Sequence, residues 1–300
     1  MTTMCKNNNW NSRFLGLRSP FQSWCILIGI HSENGYYFYT KRWVQTLKNE
    51  QMTELELVID LHKNSERQGP GSEKDTLKAL RFMNLPTAQY LKVADIGCGS
   101  GGQTITIAKN LNGQITAVDL FPEFLDELNE KSQNLGLTDK IVTLEKSMDE
   151  LPFGKEEFDV IWSEGAIYNV GFESGIIKWK DYLKVGGYMA VSEITWITQS
   201  RPKEIEDFWK HEYPEIDIAS NKIKLLENNG YTLVGYFYLN QESWIDNYYK
   251  PMEARFETFL KRHDNSELAR KVVEDYKAEI ELYQKYKDYY SYGFYIAQNN

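Results

Sequence analysis

Apolar and polar positions follow two alternating periods through the middle of the chain. Ser72-Glu-Lys-Asp75 has the form of a capping box, and Leu77, Leu80 and Met83 continue it as a short amphipathic helix. Leu91 to Ile96 is then a short apolar run rich in β-formers and followed by glycines, the pattern of a buried parallel strand. Thr104 to Leu111 predicts a helix and Gln114 to Asp119 a second strand. Pro122 to Leu135 reads as a helix with proline in its first turn and Gly136 at its stop. Strands at Ile141 to Glu145 and Phe158 to Ser163, a helix at Gly175 to Leu183 and a fifth strand at Gly187 to Ile194 complete the alternation. Such alternation specifies a doubly wound, Rossmann-like α/β sheet whose ligand lies beyond the carboxyl ends of the strands.

The last part departs from that rhythm. Tyr231 to Leu239 and Tyr292 to Ala297 predict strands, and residues 241–290 between them form a helical insert, with helices over 251–262 and 266–289. Nine of the chain's 20 tyrosines fall within 241–300, so the insert is aromatic as well as charged. Helices packing tyrosines on the sheet flank explain this plainly. A lid over a substrate pocket is the functional alternative.

Charge divides the chain in two. Residues 1–51 hold six Lys or Arg against two Glu, a charge of +4, which leaves −13 of the total −9 for residues 52–300. An acidic main part disfavours a nucleic-acid partner. Cys5, Cys25 and Cys98 assemble neither a disulfide framework nor a paired zinc motif, which suits a reducing, cytoplasmic location. The apolar run Trp24 to Ile30 is too short to span a bilayer and lacks a small-residue cleavage site after it. Residues 1–51 are therefore expected to be a poorly structured extension, an upstream reading-through of a gene whose working start is Met52, with 52–300 as the working domain.

The chemistry concentrates in Val93-Ala-Asp-Ile-Gly-Cys-Gly-Ser-Gly-Gly102. A tight strand-to-helix turn needs glycines, because its backbone adopts φ values closed to other residues and approaches a ligand without a Cβ in the way. Gly97, Gly99 and Gly102 satisfy the dinucleotide spacing, and Asp119 stands where an acid would bind ribose hydroxyls, so a nicotinamide-dependent oxidoreductase stays open on those positions. Asp95, expected at the mouth of the cleft, would repel a pyrophosphate and welcome a cationic cofactor.

With Asp95-Ile-Gly-Cys-Gly-Ser-Gly101, Val118-Asp119-Leu120, Leu151-Pro152-Phe153, Phe158-Asp159-Val160-Ile161 and Leu183-Lys-Val-Gly-Gly187 in order, residues 65–240 resemble the class I S-adenosylmethionine-dependent methyltransferases. The likeness is nearest to the small-molecule group that includes the ubiquinone and menaquinone C-methyltransferases. It implies a seven-stranded sheet with the last strand antiparallel, the 241–290 insert standing in place of the usual hairpin. It further implies that Gly97, Cys98, Gly99 and Gly101 carry the backbone past the methionine part of S-adenosyl-L-methionine, with Asp95 supporting its amino group. Asp119 would accept both ribose hydroxyls, Leu120 and Phe121 would flank the adenine, and Ser147 and Met148 stand where the family commonly has Asp-Ala. Ser163 and Glu164 would face the cofactor and the transferred methyl, and Arg67 would pair with the cofactor's carboxylate.

Methyl transfer is in-line attack on a methyl held by a sulfonium, so the resemblance implies alignment and exclusion of water, no metal, and a base only where the acceptor must lose a proton. Glu164, Tyr168 and Glu193 are candidate catalytic pocket residues, and His211 lies among aromatics on a helix. No Asn/Asp-Pro-Pro-Tyr segment follows the fourth strand and no thiol cluster exists, which sets aside that route to amide or adenine nitrogen and an arsenic acceptor. A small-molecule acceptor is expected, with a non-catalytic S-adenosylmethionine-binding sensor as the alternative. The tyrosine-rich insert could equally form a homo-oligomer surface. A chain starting at Met52 is expected to fold and to retain cofactor binding by calorimetry; loss of binding in that truncation would contradict the division at Met52.

Overall fold

A computed structural model of the protein describes residues 52–86 and 88–300. The basic segment 1–51, with Trp24 to Ile30, lies outside the described residues. Helix α1 (Glu54–His62) and helix α2 (Glu73–Met83) precede the sheet. Strand β1 (Leu91–Ile96) leads through α3 (Gly102–Asn110) to β2 (Gly113–Asp119), and α4 (Pro122–Asn134) leads on to β3 (Ile141–Glu145). Strand β4 (Phe158–Ser163) is followed by α5 (Phe172–Lys178) and β5 (Leu183–Trp196), then by α6 (Lys203–Glu212), β6 (Asp217–Ile218), α7 (Ala219–Asn228) and β7 (Tyr231–Tyr238).

The sheet runs β3-β2-β1-β4-β5-β8-β7, where β8 is Tyr290–Asn299, and β1 to β5 are mutually parallel. Because helices cover both faces, the central strand β1 is almost wholly buried from Val93 to Ile96. Order reverses between β1 and β4, and that switch point opens the crevice where the glycine loop and the loop after β4 face each other. Strand β8 is antiparallel to both β5 and β7.

The seven expected strands form the continuous sheet, and β6 adds a two-residue piece beside Thr195 and Trp196, too short to show a period. Two local expectations need correction. The helix expected at 175–183 lies at Phe172–Lys178 and gives way to a 3₁₀ turn at Trp179–Tyr182, since Leu183 already pairs with Phe158 in the sheet. At the Ser72 cap only one half of the box forms. The Asp75 amide donates to Ser72 Oγ at 3.0 Å, but the Asp75 carboxylate accepts hydroxyls from Ser72 (2.5 Å) and Ser243 (2.6 Å) instead of reaching back to a backbone amide. The reciprocal box is at α1: Glu56 N donates to Thr53 Oγ1 and Thr53 N to Glu56 Oε2.

The insert begins with α8 (Gln241–Trp244), passes through a π-helical turn at Ile245–Tyr249, and continues as α9 (Lys250–Arg262) and α10 (Glu267–Tyr286). Its tyrosines go inward. Trp244 stacks on Tyr283 with ring centroids 4.5 Å apart, and Tyr290 and Tyr292 of β8 pack on the same indole. Helix α1 docks on α9 and α10, clasped by Asp60 to Arg262 and by Glu54 to Lys271. Beneath it His62 Nε2 meets Tyr276 Oη at 2.8 Å, and Tyr249 Oη donates to Glu279 Oε1 at 3.0 Å.

Burial pushes the Glu279 carboxyl up to about 8. A folded-state value above the unfolded one means that the neutral acid stabilises the fold at low pH and that this contribution is lost as pH rises through about 8. Glu279→Gln keeps an acceptor for Tyr249 without the titration. Urea unfolding is therefore expected to show the wild type losing stability relative to this variant between pH 4.5 and pH 8; a difference independent of pH would contradict the neutral buried acid.

Candidate active site

The chain leaves β1 in a turn with φ of +74° at Gly97, +54° at Gly99 and +85° at Gly101. Space forbids side chains there as firmly as the dihedrals do. A Cβ on Gly97 would strike Ala166, one on Gly99 the Gln68 amide and one on Gly101 the Leu128 side chain. The amides of Gly97 and Cys98 donate to Val118 O at 2.8 and 2.9 Å, tying the loop to the end of β2. There Asp119 closes the frame. Its Oδ2 accepts from Gly99 N at 2.8 Å and its Oδ1 from Phe121 N at 3.0 Å. Burial raises the Asp119 pKa while these amides work against the rise.

Residues 65–71 lie as a strap across this loop. Gln68 Oε1 accepts from Ser100 N at 2.7 Å, and Gln68 Nε2 donates to Ser100 Oγ at 3.0 Å. Ser100 Oγ donates in turn to Ser65 O, and Lys131 Nζ of α4 donates to Ser100 O. From the strap Arg67 Nη1 reaches Glu164 Oε2 at 2.7 Å, with Nη2 on Thr76 Oγ1 at 3.0 Å. The other Glu164 oxygen accepts from Thr76 Oγ1 (2.8 Å) and Trp162 Nε1 (3.0 Å). Both oxygens are thus occupied, and the side chain is only 6% exposed.

Between strap, glycine loop and the loop after β4 lies an open cleft of about 1000 Å³, part of it continuous with solvent. Of the residues singled out in the sequence, Arg67, Gly97, Cys98, Gly99, Asp119, Leu120, Phe121, Ser147, Met148, Glu164 and Tyr168 line it. Asn169, in the stretch expected to supply the acceptor pocket, lines it as well, and Gln68, Gln103 and Phe124 do so without having been singled out. Gln68 sits beside Gly69-Pro-Gly71, whose composition signalled a turn and nothing about which side chain would face the loop.

Four expected residues are placed elsewhere. Asp95 is not at the mouth of the cleft but fully buried beneath the loop, accepting from Thr104 Oγ1 at 2.5 Å and Gln103 Nε2 at 3.3 Å, and burial pushes its carboxyl up to about 7. The reason is its place inside β1, between Ala117 of β2 and Trp162 of β4, and the charge argument against a pyrophosphate falls with it. Gly101 starts α3 and packs on Leu128, behind the cleft wall. Ser163 is fully buried in β4, so only the residue after it reaches the cleft. Glu193 is fully buried on β5, where Lys222 of α7 donates to Oε1 at 3.2 Å; burial raises its pKa and the ammonium opposes the rise. His211 is exposed on α6 and does not line the cleft. Among the described residues no group of three His, Cys, Asp or Glu is disposed to hold a metal, and no helix is long and apolar enough to cross a membrane.

Comparison with known proteins follows the same outline. Residues 93–187 match the family model described as a methyltransferase domain. A sarcosine/dimethylglycine N-methyltransferase of Aphanothece halophytica is 32% identical over 97 residues, 32% of this chain and 35% of that protein. The chain spans little more than a third of the length of the first curated relatives it matches. A methyltransferase from Geobacter sulfurreducens, solved with S-adenosyl-L-homocysteine, superposes with TM-score 0.73 at 17% identity over 82% of this chain and 98% of its own. The [4+2]-cyclase SpnF superposes with TM-score 0.65 at 17% identity over 81% of this chain and 93% of its own. Residues 93–187 therefore match a methyltransferase domain, and the chain has the Rossmann-like α/β fold of the solved methyltransferases it superposes on.

The turn itself can be tested without a ligand. Gly101→Ala places a Cβ at φ +85° against Leu128. It is expected to cost roughly 1–3 kcal/mol in urea unfolding, from the left-handed backbone and the displaced leucine; unchanged stability would mean the loop is not confined as described.

Proposed function

We propose that the protein transfers a methyl group from S-adenosyl-L-methionine to a small-molecule acceptor. One observation carries the reading. Apart from the strap residues Arg67, Gln68, Gly69 and Pro70, every residue lining the cleft falls between Gly97 and Asn169, inside the matched methyltransferase stretch. The cleft wall is thus drawn almost entirely from the matched sequence. The glycine loop also fits the cofactor, since Gly97, Cys98 and Gly99 line the cleft and two of the three are glycines that present bare backbone there.

When bound, the cofactor supplies an electrophilic methyl on a sulfonium that carries its own leaving group. Asp119 would take the ribose hydroxyls, pre-oriented by the two backbone amides that hold its carboxylate. Leu120, Phe121 and Met148 would enclose the adenine, with Ser147 beside it, and the glycine loop and strap would pass the methionine part. Arg67 is already paired with Glu164, so its role is to fix the strap to the acceptor side rather than to seek a carboxylate alone. Glu164 is an anchor for the same reason. Its oxygens hold three side-chain donors from Arg67, Thr76 and Trp162, which leaves it poorly placed to remove a proton.

The acceptor therefore attacks as a neutral nucleophile such as an amine nitrogen: the N–methyl bond forms as the sulfonium carbon–sulfur bond breaks, S-adenosyl-L-homocysteine leaves, and any proton shed by the new ammonium passes to water. Tyr168 and Asn169 form its wall. Alignment and exclusion of water then supply the catalysis, on the order of 7–11 kcal/mol where geometry is good. We read the protein as cytoplasmic, supported by its cysteine usage, and residues 52–300 as its working domain. The cyclase with the same fold shows that architecture alone does not choose the chemistry, so the test must follow the methyl group. Incubation with methyl-labelled S-adenosyl-L-methionine and a metabolite mixture is expected to yield a labelled product one methyl heavier. Asp119→Ala should weaken S-adenosyl-L-homocysteine at least roughly tenfold, because it removes charge-assisted contacts. A labelled product formed equally well by Asp119→Ala would overturn the assignment of that residue, and ligand binding with no labelled product from any mixture would favour a sensor.

A further inference from the structure

We propose that Asn247 and Ser243, at the start of the tyrosine-rich insert, are positioning residues for the cleft: they hold the strap against the glycine loop and set how long a ligand stays at that end. The inference rests on the methyltransferase reading for the identity of the ligand, but its geometry is independent of it. Both backbone groups of Gly71, the last residue of the strap, are bound by the insert. Gly71 N donates to Ser243 O at 3.3 Å, and Asn247 Nδ2 donates to Gly71 O at 3.0 Å. Ser243 Oγ also donates to Asp75 Oδ2 at 2.6 Å, next to the Ser72 hydroxyl on the same oxygen, so the first turn of α2 is caught in the same clamp.

Gly71 is buried against the pair that closes the acceptor end. A Cβ there would lie 3.0 Å from Arg67 Nη1 and 3.3 Å from Glu164 Oε2. A shift of Gly71 therefore moves Arg67, and with Arg67 the Gln68 amide that lies on Ser100. The path runs from insert to Gly71 to Arg67 and Gln68, by hydrogen bonds and contact at every step. The local backbone of the insert gives a second, separate observation. Asn247 lies in the π-helical turn Ile245–Tyr249 between α8 and α9. Such turns cost stability relative to a continuous α-helix and occur mostly at functional sites. Here the widened turn brings an amide side chain onto a strap carbonyl that α-helical continuation would place differently. The insert thus reaches the cleft although none of its own residues lines it.

The variant that separates positioning from packing is Asn247→Asp, which keeps the shape, removes the donor and sets a carboxylate against the Gly71 carbonyl. Three measurements are made on the full chain: binding of S-adenosyl-L-homocysteine, binding of adenosine, and hydrogen exchange at strap amides 67–71. The strap lines the glycine-loop end and not the Phe121 end, so the two ligands should respond differently. Asn247→Asp is expected to raise the dissociation rate of S-adenosyl-L-homocysteine roughly three- to tenfold, the loss of one hydrogen bond in a part-buried site. Adenosine affinity should stay unchanged, and exchange at Gly71 should accelerate. Ser243→Ala should do the same more weakly, and Asn247→Gln, which retains an amide donor, should restore part of the effect. Equal weakening of both ligands would mean a general loss of structure and would overturn the proposal. So would unchanged dissociation and exchange in Asn247→Asp. Failure of the wild type to bind either ligand, with accelerated exchange in the variant, would remove the methyltransferase reading while leaving the clamp itself standing.

Discussion

The turn after β1 admits no side chain at Gly97, Gly99 or Gly101, and the rest of the site is arranged around that constraint. Three glycines at positive φ bring the backbone within contact of Ala166, Gln68 and Leu128, so three separate pieces of chain converge on one loop. Asp119 can bridge Gly99 and Phe121 only because the loop lies this close to the end of β2. The strap can bond Ser100 only because Gly99 leaves room for the Gln68 amide. Asp119 and the strap both depend on that close approach.

Polar side chains buried around the cleft are satisfied in different ways, and the differences sort their roles. Glu164 carries three donors and joins strap, α2 and β4 into one wall. Asp95 supports the loop from beneath through Thr104 and Gln103. Glu193 is paired with Lys222 under the loop that carries Tyr168, whose ring meets Tyr213 edge-on. Such buried pairs contribute little net stability but are costly to break on one side, which suits elements that must keep one geometry. The acids foreseen as reactive thus serve as framework, consistent with a transfer whose driving force sits in the donor rather than in a protein base.

How much of this was legible followed from the range of the interaction concerned. Strands β1 and β4 stand where the apolar periods put them, because burial on both faces writes a nearly continuous hydrophobic run. The glycine loop was legible for a related reason: glycine residues are spaced by the turn itself. Asp95 was misplaced because sequence separation from Gly97 says nothing about depth, and β1 is flanked by strands on both sides and stays buried to its last residue. Glu193 was misjudged in the same way, since Lys222 is 29 residues away and nothing in either segment announces their pairing. Gln68 and Asn247 escaped notice because single amides in a turn or a helix carry no pattern. Their importance appears only when strap, loop and insert are assembled. The insert's tyrosines, read as flank packing or as a lid, pack on β8 while the turn before them clamps the strap.

Cofactor identity is the claim on which the other assignments hang, and the Asp95 argument no longer separates the candidates. A calorimetric titration of the full chain with S-adenosyl-L-homocysteine and with NAD separates them directly. The account predicts saturable binding of S-adenosyl-L-homocysteine and none of NAD at the same concentrations. Tight binding of NAD with no response to S-adenosyl-L-homocysteine would contradict it.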